Sequence, residues 1–183
     1  SGTLNYIFNS FQEPNTFHQI VSKAVEMGFT EPDPKIDLCG IDVSRKILIL
    51  ARESGFNIEF DDVSKNHFLP EDSINTKNRD EFLLSLKKNN DHFNKLLKEA
   101  QEKNCRLKFV AKLDSGKASV GLESVPADHP FYNLVGSDNI TVFYTERYSE
   151  SPLVVKGAGA GGEFTASGVF ADIIKASQEN GKY

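Results

Sequence analysis

Cysteine is scarce in this chain. Cys39 and Cys105 stand alone, with no CxxC pair and no histidines at ligand spacing around them. That pattern suits a reducing cytoplasm better than a disulfide scaffold. His18, His67, His92 and His129 are equally scattered, so a zinc centre is not expected. Basic residues are in deficit, 21 against 26 acidic ones, giving a net charge of -5 and a pI near 5.4. No Lys/Arg cluster interleaved with aromatics offsets this, and no nucleic-acid partner is expected. No apolar run approaches the roughly 20 residues that cross a bilayer, and no basic region leads into an apolar one at the N-terminus. No membrane partner is expected, and the cytoplasm is the expected compartment.

Apolar side chains are 39% of the 183 residues and include 14 phenylalanines, enough for one sizeable core. The organising stretch is Gly28 to Arg52, GFTEPDPKIDLCGIDVSRKILILAR. Pro32 and Pro34 stiffen an acidic loop carrying Glu31, Asp33 and Asp37, and the chain then enters a helix with Asp42 and Lys46 one turn apart on the same face. Ile41, Val43, Ile47, Leu48, Ile49, Leu50 and Ala51 leave that helix few polar positions, so it reads as largely buried. Two readings of these charges stand side by side. In one, Asp42 and Lys46 are an exposed i,i+4 ion pair and the loop acids cap a helix. In the other, a rigid loop and a buried helix hold several charges in the fixed geometry a small polar substrate needs.

Along the rest of the chain the periodicity is helical from Thr3 to Phe11, from Phe17 to Met27 behind a Thr16 cap, and from Asn78 to Asn104 with a break at Asn89-Asn90. Asp61 and Asp62 cap a single turn, and Phe68-Leu69-Pro70 reads as a short strand or extended segment. Arg106 to Leu113 and Ala118 to Val125 alternate as a hairpin around Asp114-Ser115-Gly116-Lys117. Two more strands, Ile140 to Thr145 and Leu153 to Lys156, precede a helix from Phe164 to Ser177 and a polar tail that frays. The fold class expected is α+β: a two-layer domain with helices packed on a mostly antiparallel or mixed sheet of at least four strands. His129, beside Pro130 in a loop, has neither a nucleophile nor a second histidine near it in sequence and is read as structural; Gly136 to Asn139 reads as a turn.

Near the end, KGAGAGGEFTASGVFADI places Gly157, Gly159 and Gly162 in a GxGxxG pattern between a strand and a helix. A complete mononucleotide-binding unit needs a second strand ending in an acid about twenty residues onward, and the remaining chain is too short and too polar to supply it. The glycines remain open to two roles, a close approach to a ligand or a tight turn. No GK[ST] follows, which excludes a Walker A loop.

SGTLNYIFNSF, the Gly28 to Arg52 block, the His129-Pro130-Phe131 loop and the KGAGAGGEFTASGVFADI ending together resemble the substrate-binding and dimerisation portion of homoserine dehydrogenase, including the form fused to aspartokinase. The resemblance covers essentially the whole chain. Its most specific part is the TEPDP block followed by D-L-x-G-x-D-V-x-R-K. It implies that Lys46 is the catalytic lysine, supported by Asp42. It further implies that Glu31 holds the substrate amino group, with Asp37, Thr3, Gly2 and Phe29 also at the substrate, and that Gly157, Gly159, Ala160 and Gly161 approach a nicotinamide cofactor, NADP or NAD. Two departures stand out: Ile36 replaces the first aspartate of the family's PDPRDDL, and Phe29 stands where many members have tyrosine, removing a hydroxyl.

In this family an N-terminal Rossmann domain precedes the SGT segment and holds most of the cofactor; none precedes Ser1 here, so the chain reads as a portion of a larger protein with little turnover of its own. The reaction implied interconverts L-homoserine and L-aspartate 4-semialdehyde, in threonine, methionine and isoleucine biosynthesis. A lysine ammonium is suited to donating a proton to the aldehyde oxygen, whereas a lysine with the ordinary pKa near 10.4 is a poor base at neutral pH. The other class of reading is a non-enzymatic binding or dimerisation module. Leu122, Val125, Ile140, Val142, Phe143, Leu153 and Val155 exceed what one small layer can bury, and with the resemblance this implies a homodimer through the sheet.

Overall fold

In a computed structural model of the chain, residues 1–136, 138–158 and 162–180 are described, Glu179 and Asn180 as backbone only. Helix α1, Gly2–Ser10, starts on a Ser1 cap and buries Leu4, Ile7 and Phe8. Helix α2, Phe17–Glu26, opens on a reciprocal capping box between Thr16 and Gln19 and buries Phe17, Ile20, Val21 and Ala24. Gly28, at φ 70°, turns the chain out of that helix as its sequence position suggests. A short helix α3, Pro34–Leu38, and a longer one, α4, Ile41–Glu53, follow.

Between α4 and the hairpin lie a 3-10 turn at Phe60–Asp62 and three helices: α5, Glu71–Ile74; α6, Arg79–Lys88; and α7, Asn90–Glu102. The break at Asn89 falls where expected. Phe68-Leu69-Pro70 is not a strand; Phe68 and Leu69 are buried in an irregular segment, and the strand lies earlier, at β1, Ser64–Asn66. This β1 runs parallel to β3, Lys117–Val125, which pairs antiparallel with β2, Arg106–Asp114, in the order β1-β3-β2. Helices α1, α4 and α7 pack on this mixed sheet, giving a two-layer α+β domain. At the centre the Phe17 and Phe93 rings stack 4.3 Å apart, with Phe68 edge-on to both.

Three further expectations are corrected. The strands do not make one sheet of four or more. Strands β4, Asp138–Phe143, and β5, Leu153–Ala158, form a separate antiparallel ribbon, followed by α8, Gly162–Asn180. Asp138 and Asn139 therefore belong to a strand rather than a turn. Helix α4 is also not largely buried: Val43, Ser44, Ile47, Leu48 and Ala51 face inward, while Ile49 is 59% exposed and Lys46 and Asp42 are each about half-exposed, at 50% and 49%. Its apolar residues outnumber its inward positions because a helix against one sheet face buries a stripe and not its whole circumference. The apolar surplus expected on the sheet divides accordingly. Val125 is buried, Leu122 packs on the core, and Ile140 and Val142 are half-buried, while Phe143, Leu153 and Val155 on the ribbon are exposed.

Candidate active site

The loop between α2 and α3 is fixed by its own backbone and acids. Asp33 caps α3 by accepting from the Lys35 N–H at 3.0 Å, and Pro34 occupies the first helical turn, where its missing N–H costs nothing. Asp37, buried on α3, reaches back and accepts the Glu31 N–H at 2.8 Å. Thr3, in the first turn of α1, donates its hydroxyl to the Phe29 carbonyl and is also within hydrogen-bonding reach of Asp37. The Phe29 ring meets Tyr6 edge-on at 4.9 Å. The Lys35 ammonium ties the far side of α3 to the Thr76 carbonyl at 2.6 Å.

Burial pushes the Asp37 carboxyl above its ordinary pKa, and the nearby charges of Glu31 and Asp42 push the same way. The hydrogen bonds from Glu31 and Thr3 oppose that shift. The mutual influence puts Glu31, Asp37 and Asp42 in one electrostatic neighbourhood. Asp42 and Lys46 form their ion pair at 2.8 Å, and the Ser1 amino group, at the start of α1, feels the charge of both.

Gly40 makes that convergence possible. It adopts φ 70°, the left-handed conformation, at the head of α4, and a Cβ there would stand 2.5 Å from the tip of the Phe109 ring on β2. The Gly40 carbonyl then accepts both the backbone N–H of Ser44 at 2.8 Å and its hydroxyl at 2.9 Å, which aims the first turn of α4. A compact cluster results, with one ammonium, three carboxylates, a threonine hydroxyl and the N-terminal turn of α1. Such a set can hold a zwitterionic amino acid by its ammonium and present a proton donor to an oxygen farther along it.

Gly2, Thr3, Phe29, Glu31, Asp37, Asp42 and Lys46 are thus brought together by α1, α3 and α4. Gly157 lies on β5, opposite Asn139, with nothing within 4 Å of where a Cβ would stand. Gly159, Ala160 and Gly161 fall outside the described residues. His129 accepts the Phe131 N–H at 3.1 Å and meets the Phe131 ring edge-on, so it shapes its own loop. Two groups escaped sequence reasoning. Phe109, which seats Gly40, looked like one more apolar position of a strand, and Lys108 alternates to the face opposite Leu107 and Phe109, where a lysine passes as exposed. The structure makes it 4% exposed.

Residues 1–174 match the family model for homoserine dehydrogenase. The chain is 44% identical over 179 residues to the chloroplastic bifunctional aspartokinase/homoserine dehydrogenase 1 of Zea mays, covering 97% of this chain and 20% of the maize protein. It is 41% identical over 185 residues to homoserine dehydrogenase of Saccharomyces cerevisiae, covering 97% of this chain and 51% of the yeast protein. The chain therefore spans about a fifth of the fused relatives and about half of the yeast one. Among solved structures, a Candida auris protein of unknown function superposes with a TM-score of 0.88 at 39% identity, over 97% of this chain and 51% of that one. Homoserine dehydrogenase from Thiobacillus denitrificans superposes with a TM-score of 0.69 at 24% identity, over 94% and 36%, a likeness of fold.

Proposed function

Because this chain belongs to the homoserine dehydrogenase family, we propose that it is the portion of such an enzyme that binds the amino-acid substrate and carries its proton-transferring lysine. The Asp42–Lys46 pair at 2.8 Å, beside the cluster of Thr3, Phe29, Glu31 and Asp37, carries this reading. Glu31 and Asp37 are the anionic partners for the ammonium of L-homoserine or L-aspartate 4-semialdehyde, and Gly2 and Thr3 bound the same cleft. Lys46 faces the reacting oxygen: its ammonium polarises the aldehyde carbonyl and delivers a proton as the alcohol forms, and in the opposite direction the amine receives the proton. Asp42 holds the lysine in place. Half-exposure of the pair is consistent with a cleft closed by a further part of the protein, where exclusion of water would strengthen each of these interactions.

A nicotinamide cofactor, NADP or NAD, is implied by the family; when bound it would supply the hydride that reduces the aldehyde or take it back from the alcohol. The residues described here do not fit it as a complete site: the glycine-rich segment joins an antiparallel ribbon to α8, and no parallel strand follows that helix among the described residues. We therefore assign the principal cofactor surface to a separate Rossmann domain of the longer protein, with the segment from Gly157 to Gly161 approaching it, and place the enzyme in threonine and methionine biosynthesis. We place it in a reducing compartment such as the cytoplasm, on the scarcity and isolation of Cys39 and Cys105 in the sequence.

Turnover of homoserine with NADP or NAD tests the reading. The 183-residue chain alone is expected to show little. Joined to the nucleotide-binding domain of a relative it should recover turnover, and failure despite demonstrated assembly would favour a purely structural module.

The same chain is proposed to form a homodimer through its ribbon. Val155 is 56% exposed on β5 and Phe170 65% exposed on α8, with Phe143, Leu153, Val154 and Ile173 also open, an apolar surface of the kind a partner covers. A self-complementary strand face suits a twofold axis. Light scattering across micromolar concentrations should give a dimer without cofactor; a monomer throughout would refute it.

A further inference from the structure

Lys108 is buried on β2, with no carboxylate partner among the described residues. Its ammonium donates to the Leu134 carbonyl at 2.7 Å, to the Asn9 side-chain oxygen, and at 3.5 Å to the side-chain oxygen of Asn5. Burial, with the Arg106 charge adding to it, pushes the lysine pKa down to about 8. A buried ammonium held by neutral acceptors is an expensive way to fill space that a methionine would fill without desolvation cost. Its partners join three elements. Asn5 and Asn9 lie one turn apart on α1, and the Asn9 amide donates to the Asn5 oxygen at 3.2 Å. The Asn5 amide continues to the Gly136 carbonyl at 2.9 Å and the Asp138 carbonyl at 3.2 Å, and the Asn9 amide reaches Gly136 at 3.4 Å. Asp138 is the first residue of β4, and Asn5 lies two residues after Thr3. A single hydrogen-bonded network therefore spans the central sheet, the helix that opens the substrate cleft, and the root of the exposed ribbon.

We propose that Lys108 is a positioning residue: through Asn5 and Asn9 it locks the first turns of α1, with Gly2 and Thr3, to the root of β4, so that the seating of the ribbon sets substrate affinity. The inference rests on the reading of Gly2, Thr3, Glu31 and Asp37 as the amino-acid site. An ammonium supplies the donors that hold carbonyl and amide acceptors from two elements at once, and neither an apolar side chain nor a carboxylate can do this. Without it, the buried oxygens of Asn5, Asn9 and Leu134 lose a donor together, and α1 and the ribbon root are freed to move independently.

The test uses the full-length enzyme. Lys108→Met should raise the KM for homoserine by about tenfold, the size expected when a buried polar group loses its partner, while leaving kcat nearly unchanged. Hydrogen–deuterium exchange should rise together in residues 1–10 and 134–143 and not in α6. Lys108→Arg, which keeps the donors, should recover most of the affinity. An exchange rise confined to 134–143 with an unchanged homoserine KM would overturn the proposal, as would an equal fall in kcat and affinity that Lys108→Arg does not repair. Should Lys108→Met not fold, Asn9→Leu removes one acceptor from the half-buried end of the network, and unchanged exchange in both segments would overturn the coupling. Glu31→Gln separates the two readings. If it leaves the homoserine KM unmoved, the amino-acid site is wrongly placed, and the paired exchange response alone decides for or against the Lys108 coupling.

Discussion

Replacing Gly40 with alanine strikes the point from which the candidate site is aimed. The residue sits at φ 70° and ψ 22°, where an L side chain costs roughly 1–2 kcal/mol. Its new methyl would lie 2.5 Å and 2.8 Å from two atoms of the Phe109 ring, which is itself packed against the core cluster. Moving that ring is an overpacking problem, costing about 1–3 kcal/mol. The two contributions together put Gly40→Ala about 2–5 kcal/mol below the parent. For a domain of this size each kcal/mol moves the melting temperature by about 2–4 °C, so a central loss of about 3 kcal/mol lowers it by about 6–12 °C. Urea and thermal unfolding of the chain would measure this. The double variant with Phe109→Leu should recover the steric part, leaving a non-additivity of about 1 kcal/mol or more. A single variant melting within about 2 °C of the parent, or a strictly additive cycle, would refute the reasoning that Phe109 and the left-handed turn jointly seat α4.

Lys46→Ala in the full-length enzyme should reduce turnover more than about a hundredfold, as loss of a positioned proton donor does, and near-normal turnover would remove the lysine from the mechanism. Because its pair with Asp42 is half-exposed, the same change should cost the fold less than about 1 kcal/mol, measurable by urea unfolding. The folded-state pKa of Asp37 lies above the ordinary 3.8, so its contribution to stability is complete below 3.8 and is lost as the pH rises through the folded value. Asp37→Asn should therefore gain stability relative to the parent as the pH is raised through that window, and a pH-independent difference in unfolding free energy would contradict the assigned burial. Thr16→Ala removes the hydroxyl that accepts the Gln19 N–H at 3.3 Å and should cost about 1 kcal/mol in thermal unfolding; no loss would mean the capping box contributes nothing to α2.

How far the chain could be read in one dimension depended on whether the deciding interactions were local. The Thr16 cap, the Gly28 exit, the Asn89 break and the Asp114 to Lys117 turn rest on contacts within a few residues, and each stands where its residues indicate. The residues of the candidate cleft were legible for a related reason. Thr30 to Lys46 is a short run whose prolines, acids and one-turn spacing already bring Glu31, Asp37, Asp42 and Lys46 close, while Thr3 and Gly2 entered through the family resemblance alone. The distribution of strands was not legible. Alternation in Ile140 to Thr145 and Leu153 to Lys156 says that two strands exist, but whether they join the central sheet depends on pairing partners remote in sequence, and among the described residues β4 and β5 pair only with each other.

Burial followed the same division. Periodicity identified which face of α1 and α2 would be inward, since an amphipathic stripe is a property of the segment itself, except that Met27, expected on the inward face, caps the end of α2 and is exposed. It failed for α4, where Ile49 and Leu50 are apolar yet face outward, and for Lys108, a charged residue that strand alternation assigns to the face opposite Leu107 and Phe109. On that face the ammonium is taken by the Leu134 carbonyl and by Asn5 and Asn9 of α1. The amino-acid order by itself determined the local elements, the acidic loop and the spacing of its charges, because those depend on φ/ψ preferences and short-range hydrogen bonds. Only the tertiary structure decided that α1 opens the cleft, that Phe109 rather than solvent faces Gly40, and that a buried lysine joins the cleft to the ribbon. Each of those is a contact between segments dozens of residues apart, made only once the core has placed them.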